Sequence, residues 1–261
     1  MATLPEDGVA YEAVAKRTLG VVAAERLREA IITGRTSPGE RLVEAVLATQ
    51  LDLSRGTVRA ALHQLASEGL VIQRPYSRWQ VVNVTAHDAW ELYILRSRLE
   101  ALAAGLAAER SNSQGRARLK AAFERLRDAV HTQDPRGISN ADFDLHKTIV
   151  SLSEHSRLMT EFAHVEGQVR MYIASTNALI SVDRSVIENH AKLVQPVLAG
   201  DVATAESIAS RHSLVAGYNL VKYLEHKREH VAQSCSCSRA EPRVIVSDSD
   251  LESFVYRWSG R

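Results

Sequence analysis

Residues 54–82 constrain this chain more than any other stretch. Ser54-Arg-Gly-Thr-Val-Arg-Ala-Ala-Leu62 opens a capped amphipathic helix with Arg55, Thr57 and Arg59 on one side and Val58, Leu62 and Leu65 on the other. Val71 to Val82 follows directly as two short β-type runs joined by a basic turn. Just before, Leu42 to Leu53 reads as the shorter supporting helix of a helix-turn-helix. Between Ser54 and Gln80 stand four arginines, Arg55, Arg59, Arg74 and Arg78, against one acid, Glu68. A single helix with two arginines is an ordinary surface helix. Helix, helix and basic hairpin in this order suit insertion into a DNA major groove beside a backbone-gripping wing.

The bulk composition narrows the rest. At 261 residues the chain can bury two ordinary cores. Hydrophobic content is 45% and aromatics only 5%, with Ala, Leu and Val dominant, which favours helix over sheet. A net charge of +1 excludes a generic polyanion binder, so charge placement carries the argument. No apolar run approaches the roughly 20 residues of a bilayer span, which excludes a membrane partner. Met1-Ala-Thr-Leu-Pro-Glu-Asp7 lacks the pattern of a secretory signal, so a cytoplasmic protein is expected. Cys235 and Cys237 sit too close for an ordinary disulfide and fit no zinc pattern; they read as reduced, exposed thiols.

Four regions follow. Residues 1–16 lack periodicity and read as a flexible N-terminus, and 17–84 as the winged helix-turn-helix, with a first helix from Leu19 to Thr33 ended by Gly34. Residues 85–227 carry amphipathic helices at 86–109, 113–132, 138–153, 156–179, 184–199 and 202–226, separated by turn and cap residues. The Ser-, Arg- and Asp-rich residues 228–261 read as disordered, with one apolar patch able to dock on a neighbour. The expected fold class is mainly α: a winged helix with a small β-hairpin, then an all-α bundle of six or seven helices.

Within the second region, Asp142 and His146 are spaced i, i+4 and share one helix face. His190 lies 10 positions before Gly200 and His212 lies 12 after it, so an antiparallel helix pair turning at Gly200 brings the two imidazoles level. One carboxylate and three imidazoles suit Zn²⁺ first, with Ni²⁺ or Mn²⁺ as alternatives, and leave room for an exogenous ligand. Of the ten histidines, His155, His164, His226 and His230 are read as bystanders.

Residues 18–84 resemble the winged-helix domain of the GntR family of bacterial transcription regulators. The resemblance rests on Arg28-Glu-Ala-Ile-Ile-Thr-Gly34, Pro38-Gly-Glu-Arg-Leu42, Leu53-Ser-Arg-Gly-Thr-Val-Arg-Ala-Ala-Leu62 and Leu65-Ala-Ser-Glu-Gly-Leu-Val71. It implies base or phosphate contacts by Arg55 and Arg59, phosphate contacts by Ser54 and Thr57, and a minor-groove contact by Arg78 of the wing. The chain departs from the pattern where Asp52 replaces a turn glycine, Gly56 and Ala60 stand for Thr and Glu, Ala45 for a contact arginine, and the wing lacks its glycine. Residues 85–226 resemble the FCD effector domain of the FadR subfamily, and six helices point to its VanR-type branch. That resemblance implies a divalent metal on Asp142, His146, His190 and His212, and a cavity arginine at Arg96 for a small organic acid effector. Asp144, Arg170 and Tyr172 are further cavity candidates. The expectation is a ligand-responsive repressor that binds a palindromic operator as a homodimer. Two alternatives stay open: a constitutive DNA-binding protein with a purely structural metal, and a metal-dependent hydrolase.

Overall fold

In the computed structural model the protein is described over residues 18–74, 78–83, 85–179, 184–232 and 246–256. Helix α1, Leu19–Ile32, starts at Thr18, whose hydroxyl accepts from Val21 N. A two-residue strand β1, Arg41–Leu42, precedes α2, Glu44–Leu51. Asp52 ends α2 in the left-handed region at φ 54°, a conformation its short polar side chain tolerates where glycine is usual. Helix α3, Arg55–Ser67, is capped by Ser54 and buries Val58, Ala61, Leu62 and Leu65. Each of those larger side chains contributes about 1.5–3 kcal/mol when fully buried.

The wing is antiparallel: β2, Val71–Arg74, and β1 both pair with β3, Arg78–Val81, giving the order β1-β3-β2. Arg41 faces Gln80 and Leu42 faces Trp79, while Val71 faces Val81. The sheet thereby closes over α3 with Leu42, Val71, Trp79 and Val81 buried. Arg28 of α1 clamps the C-terminal end of α3 through a two-pronged pair with Glu68, at 2.7 and 2.5 Å.

The bundle comprises α4 (Ala86–Arg110), α5 (Ser113–Thr132), α6 (Pro135–Leu152), α7 (Ser156–Leu179), α8 (Arg184–Ala199) and α9 (Val202–Ala232). These are the six helices expected; α6 begins earlier because Asp134 caps it and Pro135 takes its first position. The pair α4–α9 packs most extensively. It does so because Gly217 has no side chain: a Cβ there would lie 2.5 Å from Tyr93 Cβ. The winged helix meets the bundle on α7, where Gly167 receives the fully buried Leu70; a Cβ on Gly167 would stand 3.0 Å from Leu70 Cδ1.

The C-terminal expectation needs correcting. Helix α9 runs on to Ala232, and Asp248–Tyr256 forms a further helix, α10. It buries Leu251 and Phe254 and is tied down by Trp90 Nε1 donating to Phe254 O at 2.6 Å. Tyr218 meets the Phe254 ring edge-on, and Arg211 pairs with Asp248 and donates to Val246 O. Val246 and Phe254, from the described part of the apolar patch, thus pack on their own chain. The expectations for residues 1–16, the wing tip 75–77 and Cys235 and Cys237 lie outside the described residues.

Candidate functional site

Helix α6 presents Asp142 and His146 one turn apart, α8 presents His190, and α9 presents His212. The three imidazoles converge: ring centroids lie 5.6 Å apart for His146 and His190, 5.1 Å for His146 and His212, and 4.6 Å for His190 and His212. One nitrogen from each lies within 4.8 Å of the others. Asp142 Oδ1 stands 3.4 Å from both His146 Nε2 and His190 Nε2. The helix pair around Gly200 therefore does bring His190 and His212 level.

The outer nitrogens explain the tautomers. His190 Nδ1 lies 2.8 Å from Val186 O, an acceptor only, so in the neutral ring Nδ1 carries the proton and Nε2 the lone pair. His146 Nδ1 lies 3.1 Å from Glu100 Oε2 in the same manner. Both Nε2 atoms are buried and make no hydrogen bond. Buried polar atoms are costly to leave orphaned, and here two point at one spot beside a carboxylate. Their 3.4 Å spacing from Asp142 Oδ1 matches the roughly 3.4 Å edge of a tetrahedron with bonds of about 2.1 Å. The donor set fits a borderline first-row cation.

The electrostatics of the cluster favour positive charge at its centre, carried by a proton or by a cation. Burial pushes the Asp142 carboxyl up, but His190 and His146 beside it outweigh that and hold it well below the usual range. Burial and the two neighbouring imidazoles hold His212 far below an ordinary histidine, so it stands neutral and able to ligate. For His146, burial is outweighed by Glu100, and its affinity for a proton rises.

The i, i+4 spacing in sequence offers Glu100 only as a surface partner for Arg96; the structure buries that pair and extends it. Glu100 Oε1 accepts from Arg96 Nε at 2.7 Å, and its Oε2 accepts from Ser213 Oγ at 2.7 Å and faces His146. Arg96 is buried and lies over the Tyr93 ring, its guanidinium 5.3 Å from the centroid. Arg96, the expected effector arginine, thus reaches the histidine cluster through Glu100. Tyr172 is buried against Tyr93 at 6.4 Å. Asp144 is exposed, and Arg170 donates to Asn140 Oδ1 beside Phe143, so neither joins the cluster. His155 accepts from Leu158 N as a helix cap, and His164 is exposed beside Glu161.

On the winged helix, Ser54 Oγ and Thr57 Oγ1 lie 2.8 Å apart at the start of α3, and both residues are accessible. Arg55 is exposed. Arg59 grips Glu44 of α2 through Nε and Nη2, at 3.0 and 2.7 Å, and Glu44 also accepts from Trp79 Nε1 at 3.0 Å. The Arg59 hydrogen bond holds the Glu44 carboxyl below its ordinary range, against burial and with help from Trp79. A concavity of about 220 Å³ opens here, lined by Arg41, Glu44, Ala45, Arg55 and Arg59. Arg41 is a third arginine here, one the sequence did not single out for contact; its place in the Pro38-Gly-Glu-Arg41 stretch was the available signal. The Arg78 side chain lies outside the described residues.

A winged helix ahead of an all-α bundle with this inward cluster has the architecture of a bacterial transcriptional regulator. The family model for bacterial regulatory proteins of the gntR family matches residues 19–81, and that for the FCD domain matches residues 91–214. The chain belongs to the GntR family, with an FCD domain behind its winged helix. It is 28% identical over 211 residues to the "Probable D-xylose utilization operon transcriptional repressor" of Paenarthrobacter nicotinovorans, covering 79% of this chain and 92% of that one. It is 32% identical over 139 residues to the Nta operon transcriptional regulator of Aminobacter aminovorans, covering 51% and 63%. The solved structure of E. coli McbR/YncC superimposes with a TM-score of 0.68 at 22% identity, over 82% of this chain and all of that one, and supports the fold. Family and relatives are transcriptional regulators, so the hydrolase alternative is set aside. Among the described residues no helix is long and apolar enough to cross a membrane.

Proposed function

We propose that this regulator is a metal-assisted sensor of a small organic acid, acting as a homodimeric repressor on a palindromic operator. The observation that carries the metal is the pair of buried, hydrogen-bond-free Nε2 atoms of His146 and His190, converging with His212 and Asp142. These four side chains would hold a divalent cation, Zn²⁺ by donor type, with Ni²⁺ or Mn²⁺ as alternatives. When bound, it supplies a Lewis-acid position for one carboxylate oxygen. Arg96, charged and buried beside the cluster, supports recognition of the second oxygen.

A homodimer is supported by α4, where Leu95, Leu99, Leu102 and Leu106 recur at heptad spacing, with Leu95 and Leu102 nearly half exposed. A two-fold pair would present two copies of α3 to the two half-sites of an operator, with Ser54, Arg55, Thr57, Arg59 and Arg78 as the contacting set. Effector binding changes DNA affinity only through a difference in its affinity for two arrangements of that pair. One observation favours a second reading, a purely structural cation: Glu100 already occupies Arg96 Nε.

The deciding experiment combines elemental analysis with thermal shift. Protein purified without added metal is expected to carry about one cation per chain, and His190→Ala to lose it. Small carboxylates should raise Tm of the metal-loaded protein and not of the chelated protein. A cation without any carboxylate response supports the structural reading, and a cation-free protein indifferent to chelator refutes both.

A further inference from the structure

We propose that Trp79 is a positioning residue for DNA reading, its indole N–H holding Glu44 so that Glu44 buttresses the Arg59 guanidinium from the side. The inference rests on the reading of Arg59 as a base contact. It concerns which residues make that contact selective, and Trp79 and Glu44 come from elements that flank the recognition helix.

The geometry runs through three elements. Trp79 sits on β3, fully buried, and His63 of α3 meets its ring edge-on at 4.9 Å between centroids. The ring is therefore fixed in plane, and its Nε1–H donates to Glu44 Oε1 at 3.0 Å. Glu44 opens α2 and its side chain is 14% exposed, whereas Arg59 is 57% exposed. The carboxylate thus lies beneath and the guanidinium above. Arg59 spends Nε and one Nη2 hydrogen on Glu44, at 3.0 and 2.7 Å.

A guanidinium has five N–H donors in a rigid plane. With its side edge taken by Glu44, the Nη1 and remaining Nη2 hydrogens project from the tip, the fork that meets guanine O6 and N7. An exposed arginine otherwise samples many rotamers, and holding it in one removes that ordering cost from binding. Glu44 itself carries its carboxylate on a flexible stem with about three rotatable bonds. Only a buried donor on the far side keeps its plane aligned, and Trp79 is the side chain that supplies it. A phenylalanine would fill most of the same space without an N–H.

The test uses the full chain and DNA recovered by the wild-type protein from randomised duplexes. Affinity and base preference are then measured at one salt concentration for Trp79→Phe, Glu44→Gln, Arg59→Ala and Arg59→Lys, and for Trp79→Phe combined with Arg59→Lys. Arg59→Ala is expected to weaken binding roughly 10–100-fold and to erase the preference at one base pair of each half-site. Trp79→Phe should weaken binding about 5-fold with loss of preference at that same base pair only, and should add nothing in the Arg59→Lys background. Glu44→Gln, which leaves the sheet packing untouched, should reproduce the Trp79→Phe profile. If Arg59→Ala leaves the profile intact, or the wild type enriches no sequence, the reading of Arg59 falls and the inference with it. If Arg59→Ala erases the preference while Trp79→Phe and Glu44→Gln preserve it, the inference alone is overturned. Tighter binding by either variant overturns it too, since Glu44 would then be competing with DNA for Arg59.

Discussion

Replacing Glu100 by glutamine tests the core of the bundle and the cluster together. The side chain changes little in volume, but the carboxylate facing Arg96 Nε, Ser213 Oγ and His146 Nδ1 is lost. Removing one partner of a buried ion pair costs about 3–5 kcal/mol, because the other charge stays buried. The glutamine carbonyl still accepts one hydrogen bond, which argues for the lower end, about 3 kcal/mol. A domain of this size loses roughly 2–4 °C of Tm per kcal/mol, so Tm should fall roughly 6–12 °C. The single amide carbonyl can face either Arg96 or the Ser213–His146 side, not both, so the imidazole must compete with Arg96 for its acceptor. Loss of such a supporting contact lowers metal affinity about 10–100-fold. Calorimetric melting and a competitive Zn²⁺ titration read the two effects. Glu109→Gln, exposed beside Arg110, is the control and should leave both unchanged. A Glu100→Gln protein that melts within about 1 °C of wild type and binds metal equally well would refute the hub argument.

Three further outcomes are expected. Gly217→Ala gains about 1 kcal/mol of helix propensity but forces a Cβ to 2.5 Å from Tyr93, a strain of about 1–3 kcal/mol, so Tm should drop rather than rise. Phe254→Ala removes a buried ring from α10 and should cost up to about 3–5 kcal/mol locally; proteolysis within α10 should accelerate while the bundle melts nearly as before. Because the Glu44 carboxyl is lowered in the folded chain, its stabilising contribution is present above the unfolded value near pH 4.3 and fades as pH falls through the folded value. The small Tm advantage of wild type over Glu44→Gln should therefore shrink below about pH 4, and its persistence there would contradict the assignment.

The winged helix was legible because its signals are local: a Ser54 cap, one apolar stripe on α3 and a hairpin directly after it. Asp52 in a left-handed turn was equally readable from its place between two helices. The histidine cluster was legible for a geometric reason, since residues equidistant from a helix turn meet side by side. The burial of Glu100 was not legible. Helix α4 is covered on more than one side, so Arg96, Ser97 and Glu100 are buried at positions where periodicity suggests an ordinary solvent-side i, i+4 pair. Asp144 fails as a cavity residue for the converse reason: two positions from Asp142, it projects from the opposite side of α6. The Arg59–Glu44–Trp79 contact joins residues 15 and 35 positions apart in sequence, which no local pattern encodes. Nor does α10 announce itself as a helix: its apolar anchors sit in a Ser- and Asp-rich tail, and Phe254 is held by Trp90 and Tyr218, more than 30 positions away in sequence.

The seat of Leu70 on Gly167 has a mechanical consequence. Tyr172, packed on Tyr93 beside Arg96, is five residues along the same α7, roughly 7.5 Å of stiff helix away. Leu70 in turn directly precedes the first strand of the wing and follows the helix that carries Arg55 and Arg59. Tyr172 and the Leu70 seat thus lie less than two turns apart on one helix, which ties the inner face of the bundle to the element that carries Arg55 and Arg59.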